Sequence, residues 1–406
     1  QADDGIRDQP RSRWLGDVYK RQVFDHIEPV PGLGLQETYN LRMDQIEVLD
    51  KAGYYAYHLA EHHTPAVHSL APSQNVFLAA VSQRTQNIRF GPGICVLPLH
   101  HPVQLIEEYC MLDHLSGGRL EIGVGRGGVF EAFFWGQDSD VEANYARYRE
   151  TLAAVQNGLS NDVLTHKGEY YEFEQLPMRL RPMQQPMPPF WYMRNVETAA
   201  IDGMNTIIVG GLDGFEANVK RYREEWNKHQ GVGSLTAQGT VPKIGLVVHL
   251  LLADTDTEAM AQAKPAWDHY SWNLGTPRRL EAERRGLTQF QGEGMNPRPA
   301  SVPSRDLPHE ERRDLAATLE DEERIERRQN LRGRVADPTG GGAGFGSVAG
   351  SPDTIRKYMD EYVATGANYF VGAFQWGDLS HEQAMRSIEL FTNCLLYTSP
   401  SPRDRG

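Results

Sequence analysis

Residues Leu97–Gly128 read LPLHHPVQLIEEYCMLDHLSGGRLEIGVGRGG, and this stretch decides the fold. Pro102 stands where the first turn of a helix tolerates a missing N–H. Val103, Ile106, Tyr109, Cys110 and Leu112 then recur at helical spacing, which predicts a helix buried along one apolar stripe. Ser116-Gly117-Gly118 ends it, and Leu120–Val124 alternates as a short buried strand. That strand runs into Gly123-Val124-Gly125-Arg126-Gly127-Gly128. Glycines there let backbone approach a ligand, and an arginine at a strand's carboxyl end is placed to grip an anion. Helix, turn, strand and glycine-rich mouth make one αβ step of a parallel barrel, ending at its active face.

The same alternation extends in both directions. Phe24-Asp25-His26 reads as the end of a first strand, followed by an amphipathic helix from about Tyr39 to Ala52, capped by Gly53. Tyr54–Leu59 is strand two and leads into Ala60-Glu61-His62-His63; Asn75–Gln83 is a helix and Ile88–Gly91 strand three. Beyond the central stretch come a loop with Phe133, Phe134 and Trp135, a helix near Val141–Leu159 and a β-hairpin excursion over Lys167–Pro182. Phe190–Met193, Thr206–Val209 and Lys243–Leu252 are strands five to seven, with helices near Glu197–Asp202 and Phe215–His229. The alternation breaks near Trp267, and the chain stays polar to Gly350, as a lid or a solvated insertion would. A helix from Ser351-Pro352-Asp353, strand eight at Tyr369–Phe374 and a helix at His381–Phe391 close the ring. The expected fold is α/β, a (β/α)8 TIM-type barrel with a long insertion, about residues 268–349, before strand eight.

Both ends read as foreign. Asp17-Val18-Tyr19-Lys20-Arg21-Gln22 can be coded by GATGTGTATAAGAGACAG, whose reverse complement, one base along, codes Cys394-Leu395-Leu396-Tyr397-Thr398-Ser399. Two strands of one DNA segment at the two ends resemble a translated transposon-type sequencing adapter, so residues 1–22 and 394–406 are set apart from the barrel domain at 23–393. These tails carry seven basic and five acidic residues, and without them the net charge moves from −13 to about −15. An acidic chain argues against nucleic acid as a partner. No apolar run approaches the roughly 20 residues of a membrane span, so the expectation is a cytoplasmic protein without a membrane partner. Cys95 and Cys110 sit in apolar settings, which indicates neither a disulfide framework nor a metal site.

Glu61-His62-His63 falls at the carboxyl end of strand two, on the catalytic face. An imidazole there could act as a general acid/base or hold a structural hydrogen bond; no HExxH spacing supports zinc. Arg126 has glycine neighbours and a strand-end position in favour of anion binding. Arg194-Asn195 is a second cationic, polar strand end, or else a capping turn with Asn195 as the cap. His100-His101-Pro102 reads as loop architecture, and Phe374 and Trp376 either stack on a planar ligand or pack in the core.

Together these stretches resemble the bacterial luciferase-like family of flavin-dependent monooxygenases. The matching pieces are Gly53-Tyr54 through His63, Leu97-Pro98 with His101-Pro102, Leu112–Arg119, Gly123–Gly127, Asn195–Ala200 with Gly203-Met204-Asn205, and Gly350-Ser351-Pro352 to Gly366. The resemblance implies a bacterial enzyme that takes reduced FMN from a separate flavin reductase and uses O2 to oxygenate a small organic substrate. By position it implies His62 as the acid/base and Arg126 as the FMN phosphate grip. It further implies Arg194, Asn195 and Thr198 as the remainder of the phosphate loop, and Gly93 and Cys95 beside the isoalloxazine. The insertion would be the lid, and the assembly a homodimer. Val196 and Arg194 depart from the family's usual residues at the phosphate loop. Competing readings are a deazaflavin-dependent oxidoreductase of the same barrel and a non-catalytic flavin-binding protein.

Overall fold

Short apolar strands buried on both faces need a cover of helices, and this chain supplies one at nearly every crossover. The computed structural model describes residues 20–63, 69–137, 140–193, 195–212, 214–229, 241–286 and 347–396. Strand β1 (Lys20–Asp25) leads through α1 (Leu35–Lys51) to β2 (Ala56–Leu59), and α2 (Gln74–Arg84) leads to β3 (Arg89–Pro92) and β4 (Cys95–Val96). Helix α3 (Pro102–Leu115) precedes β5 (Ile122–Gly125), which is followed by α4 (Val129–Phe134) and α5 (Val141–Ser160). The antiparallel hairpin β6 (Val163–Lys167) and β7 (Glu172–Pro177) lies outside the main sheet. Then come β8 (Phe190–Met193), α6 (Val196–Ile201), β9 (Asn205–Val209), α7 (Phe215–Lys228) and β10 (Ile244–Leu252). The last elements are α8 (Asp256–Arg284), β11 (Ser347–Gly350), α9 (Pro352–Ala364), β12 (Tyr369–Ala373) and α10 (His381–Leu396).

The main sheet runs β3-β2-β1-β12-β10-β9-β8-β5-β4, every pairing parallel. It closes because β3 and β4 are two halves of one barrel position. Phe90 N–H donates to Arg119 C=O at 3.1 Å, and Glu121 N–H donates to Phe90 C=O at 2.8 Å. Glycine makes this seam possible: a Cβ at Gly91 would lie 1.7 Å from the Glu121 carbonyl oxygen, and one at Gly123 would lie 2.3 Å from that of Pro92. All eight expected strand positions are therefore filled, and β11 adds a further strand that pairs with His249–Leu252 of β10.

Two apolar regions follow from the strand alternation. Val23, Leu59, Phe90, Ile122, Val124, Leu246 and Phe370 pack outward against the helices, while Phe24, Trp191, Ile207, Val247, Tyr369 and Val371 form a separate cluster on the opposite strand faces, inside the barrel. Near the amino ends of the strands the interior is ionic. The buried carboxylate of Glu121 accepts from Tyr55 Oη at 2.9 Å, Arg89 Nε at 2.7 Å and Trp191 Nε1 at 2.7 Å. Those partners close the end of the barrel away from its mouth.

Three boundaries differ from the sequence expectation. Lys20, Arg21 and Gln22, expected outside the fold, begin β1 and pair with Tyr369, Phe370 and Val371 of β12. A ladder is made by backbone N–H and C=O and accepts any residue with an N–H. Helix α10 likewise continues through Cys394–Leu396. The insertion begins later than expected, because α8 carries on past Pro265 and Pro277 to Arg284. Its stripe Ala259, Ala263, Ala266 and Tyr270 is buried against Leu251, Ala349 and Trp376, which offsets the roughly 3 kcal/mol a helical proline typically costs. Residues 347–349 are strand. The remainder of the expected lid, 287–346, lies outside the described residues.

Candidate active site

The mouth is built from the segments that leave the carboxyl ends of β1, β2, β4, β5, β10 and β12. After β2 the carboxylate of Glu61 is buried and fully engaged. Its Oε1 lies 2.7 Å from His63 Nε2 and 2.8 Å from His100 Nε2, and its Oε2 accepts the Val96 N–H at 2.9 Å. Burial alone would raise its pKa, but the hydrogen bonds from His100 and His63 override that and lower it to about 2. Burial opposes charge on His100, yet the Cys95 thiol and the Glu61 carboxylate outweigh it and lift the imidazole to about 11. Burial and the Glu61 charge push the Cys95 thiol upward. Glu61 thus ties the end of β2 to β4 and to the loop before α3. The His63 ring packs 4.3 Å, centroid to centroid, from Trp135.

His62 lies between these two anchored neighbours and retains 20% side-chain exposure at the mouth. Its Nδ1 is 3.1 Å from Glu131 Oε1. A carboxylate can only accept, so the ring donates from Nδ1. Glu131 is in the first turn of α4, which starts immediately after Gly127-Gly128, and its side chain is 3% exposed. On the other side the His26 ring stacks on His62 at 5.3 Å with an interplanar angle of 27°. A buried carboxylate that orients an imidazole at a strand-end mouth is the arrangement of a general acid/base.

Arg126 follows β5 and is half-buried, and its guanidinium has no ion-pair or hydrogen-bond partner among the described residues. The backbone beside it is crowded: a Cβ at Gly125 would stand 2.0 Å from Ile94 Cδ1, and one at Gly127 would stand 2.3 Å from Val96 Cγ1. Gly93 precedes Ile94 at the break between β3 and β4, and a Cβ there would meet His58 Cβ at 2.8 Å. Cys95 is buried in β4. Asn195 is the cap of α6: its Oδ1 accepts the Thr198 N–H at 2.9 Å. This is the capping alternative; the Asn195 NH2 and the Thr198 hydroxyl take no part in that bond. Arg194 lies outside the described residues.

The luciferase-like monooxygenase profile matches residues 20–369. The chain belongs to the luciferase-like monooxygenase family. An uncharacterized protein of Sinorhizobium fredii, y4wF, is 36% identical over 257 residues, which are 62% of this chain and 72% of that one. The oxygenase component of the flavin-dependent trigonelline monooxygenase of Acinetobacter baylyi is 28% identical over 250 residues, covering 59% and 67%. Among solved structures, the oxygenating constituent of 3,6-diketocamphane monooxygenase from Pseudomonas putida, in complex with FMN, superposes with a TM-score of 0.63 at 17% identity, over 95% of this chain and 100% of that one. An F420-dependent secondary alcohol dehydrogenase superposes equally well, at 0.63 and 12% identity, over 93% and 99%. At such identities the structural likeness speaks for the fold alone.

In this luciferase-like barrel the sequence pointed to His62 and Arg126 but not to Glu131, which stands in a stretch legible only as a loop. It also missed His26, His249 and Tyr270. Trp376 and Phe374, read as a pair, part company: Phe374 packs outward with Phe391 at 5.4 Å, whereas Trp376 lies 5.9 Å from the His249 ring. Their contacts are made between elements far apart in the chain, and no local pattern encodes them.

Proposed function

We propose that the chain is an FMN-dependent monooxygenase that accepts reduced FMN from a separate reductase and oxygenates a small organic molecule. The observation that carries this reading is the His62–Glu131 pair set at the same mouth as Arg126, in a barrel of this family. Arg126 fits a phosphate: it is permanently charged, donates through a fork, and has no anion paired with it among the described residues. Ile94 and Val96, packed against Gly125 and Gly127, supply an apolar wall on which a planar ring can lie, while the Cys95 thiol between them turns to His100. Reduced FMN bound there would supply the electrons that activate O2. His62 would hold or deliver a proton at Nε2, because Glu131 keeps Nδ1 protonated and the ring turned toward the mouth. Glu61 would act through position, fixing the backbone on either side of His62.

The printed name of the Acinetobacter baylyi relative, an oxygenase component, supports a separate reductase. Exposed Val48 on α1 and Val76 on α2 support a homodimer through these helices. No helix among the described residues is long and apolar enough to cross a membrane. A second reading, hydride transfer with a deazaflavin, is favoured by the F420-dependent neighbour of equal TM-score. The deciding experiment supplies reduced FMN or reduced F420 separately and measures O2 uptake and oxygenated product. Oxygen uptake with product from FMN alone is expected; turnover with F420 and no oxygen consumption overturns the reading.

A further inference from the structure

Beside His62, the corner where β1, β10, β12 and α8 meet contains four buried polar atoms with no hydrogen-bond partner among the described residues: Glu28 Oε2, His249 Nε2, Asn273 Nδ2 and Trp376 Nε1. Their residues are 2%, 7%, 2% and 1% exposed. Unmet polar atoms are costly in a protein interior, and a cluster of them calls for a ligand to satisfy it.

The four groups adjoin one another through the fold. Gly377 N–H donates to Glu28 Oε1 at 3.1 Å, which places Glu28 against the residue that follows Trp376. Asn273 places its amide beside the Glu28 carboxyl and favours its ionised form, against the larger effect of burial. One helical turn before Asn273, Tyr270 packs its ring 4.5 Å from His249. Trp267 lies 5.3 Å from the same imidazole and 6.0 Å from Trp376. His26 joins this corner to the acid/base, 5.8 Å from Tyr270 and 5.3 Å from His62.

We propose that this corner is the substrate subsite, built for a planar unsaturated ring that bears a carbonyl oxygen. The proposal rests on the monooxygenase reading of the same mouth and adds the substrate class. Ring faces and edges from Trp267, Tyr270, His249 and Trp376 favour a flat π-system over a flexible alkyl chain. Three of the four polar groups select an acceptor, and the neutral His249 imidazole can serve either way. An indole N–H and an amide NH2 can only donate. Burial pushes the Glu28 carboxyl up to about 8, so near neutrality it too is chiefly a donor. Arg42, the cation that acts on Glu28, is already engaged by Asp25 at 3.0 Å and by Gln45 at 2.8 Å.

The test measures binding calorimetrically on the full chain without reductant, using acetophenone, ethylbenzene, cyclohexyl methyl ketone, decanal and N-methylpyridinium as probes. Acetophenone should bind roughly tenfold or more tightly than each of the others, the scale of one well-made buried hydrogen bond. Trp376→Phe and Asn273→Leu should each reduce its advantage over ethylbenzene about five- to tenfold while leaving ethylbenzene affinity in place. Equal affinity for ethylbenzene or cyclohexyl methyl ketone, tighter binding of decanal or N-methylpyridinium, or an unchanged preference in both variants overturns the proposal. The parent protein's ranking decides even if a variant fails to fold. Because no reductant is present, failure of the oxygenase reading leaves these affinities untouched and appears instead as absent product with reduced FMN.

Discussion

His62 Nδ1 donates to Glu131 Oε1 across 3.1 Å, joining two residues 69 positions apart in the chain. The carboxylate is almost wholly buried, so it holds the ring's tautomer and direction in a region where a misplaced proton would be expensive. It makes the imidazole a directed group at the mouth.

This pairing predicts a graded response. His62→Ala should lower product formation by about 10²–10⁴-fold, the usual contribution of a positioned acid/base, while flavin oxidation continues and releases hydrogen peroxide. Glu131→Gln keeps the shape but loses the fixed tautomer, and should lower it by roughly 10- to 10³-fold. His63→Ala, whose ring lies on Trp135, should act mainly through stability. Product and peroxide yields per reduced flavin decide it; a normal ratio in His62→Ala means the imidazole is structural.

Arg126→Ala should weaken FMN by roughly 10- to 100-fold, the cost of one charge-assisted clamp. Riboflavin, which has no phosphate, should bind the variant as it binds the parent. Equal weakening of both would move the phosphate to other residues.

Asn195 offers a cleaner separation of cap from ligand. Asn195→Ala should cost about 1 kcal/mol of stability by stripping the Thr198 N–H of its acceptor. Asn195→Asp keeps the cap and adds charge, so thermal stability should hold. A fall in FMN affinity in Asn195→Asp alone would place the phosphate near this helix start; unchanged affinity would place it elsewhere.

The Glu61–His100 pair predicts a pH profile. Glu61 is lowered from 4.5 to about 2, so its contribution is complete above about 4.5 and is lost as pH falls toward 2. His100 is raised from 6.5 to about 11, so its contribution is complete below 6.5 and is lost as pH rises through 11. Chemical denaturation of the parent and His100→Gln should therefore differ most near pH 5–6, with the difference shrinking steadily on the alkaline side. A pH-independent difference would show that the ion pair does not form.

Gln22 is fully buried in β1, with neither its amide nitrogen nor its oxygen hydrogen-bonded. Gln22→Val should stabilise by about 1–3 kcal/mol by removing that burden. Yet a chain begun at Val23 should melt several degrees below one begun at Lys20, because the β12 partners of three residues lose their ladder. A lower melting temperature for Gln22→Val would show that the amide is satisfied after all.

The barrel was legible because its grammar is local. Apolar stripes at helical spacing, glycines at turns and short β-branched runs each depend on neighbours within a few residues, and Leu97–Gly128 contains one complete unit. The positions of His62 and Arg126 just beyond strand ends were legible for the same reason, since a strand followed by polar or glycine residues ends at the mouth of the barrel. Sequence alone placed the break in the alternation near Trp267, but a buried alanine stripe carries α8 onward to Arg284. It also left Asn195 between ligand and cap; the structure shows the cap, in the 2.9 Å bond from Thr198 N–H. Tertiary structure alone decided the pairing of His62 with Glu131, the anchoring of Glu61 by His63 and His100, and the gathering of Glu28, His249, Asn273 and Trp376 into one corner. Those contacts form only when the ring closes and brings the carboxyl ends of distant strands together, and long-range closure has no signature in any local window.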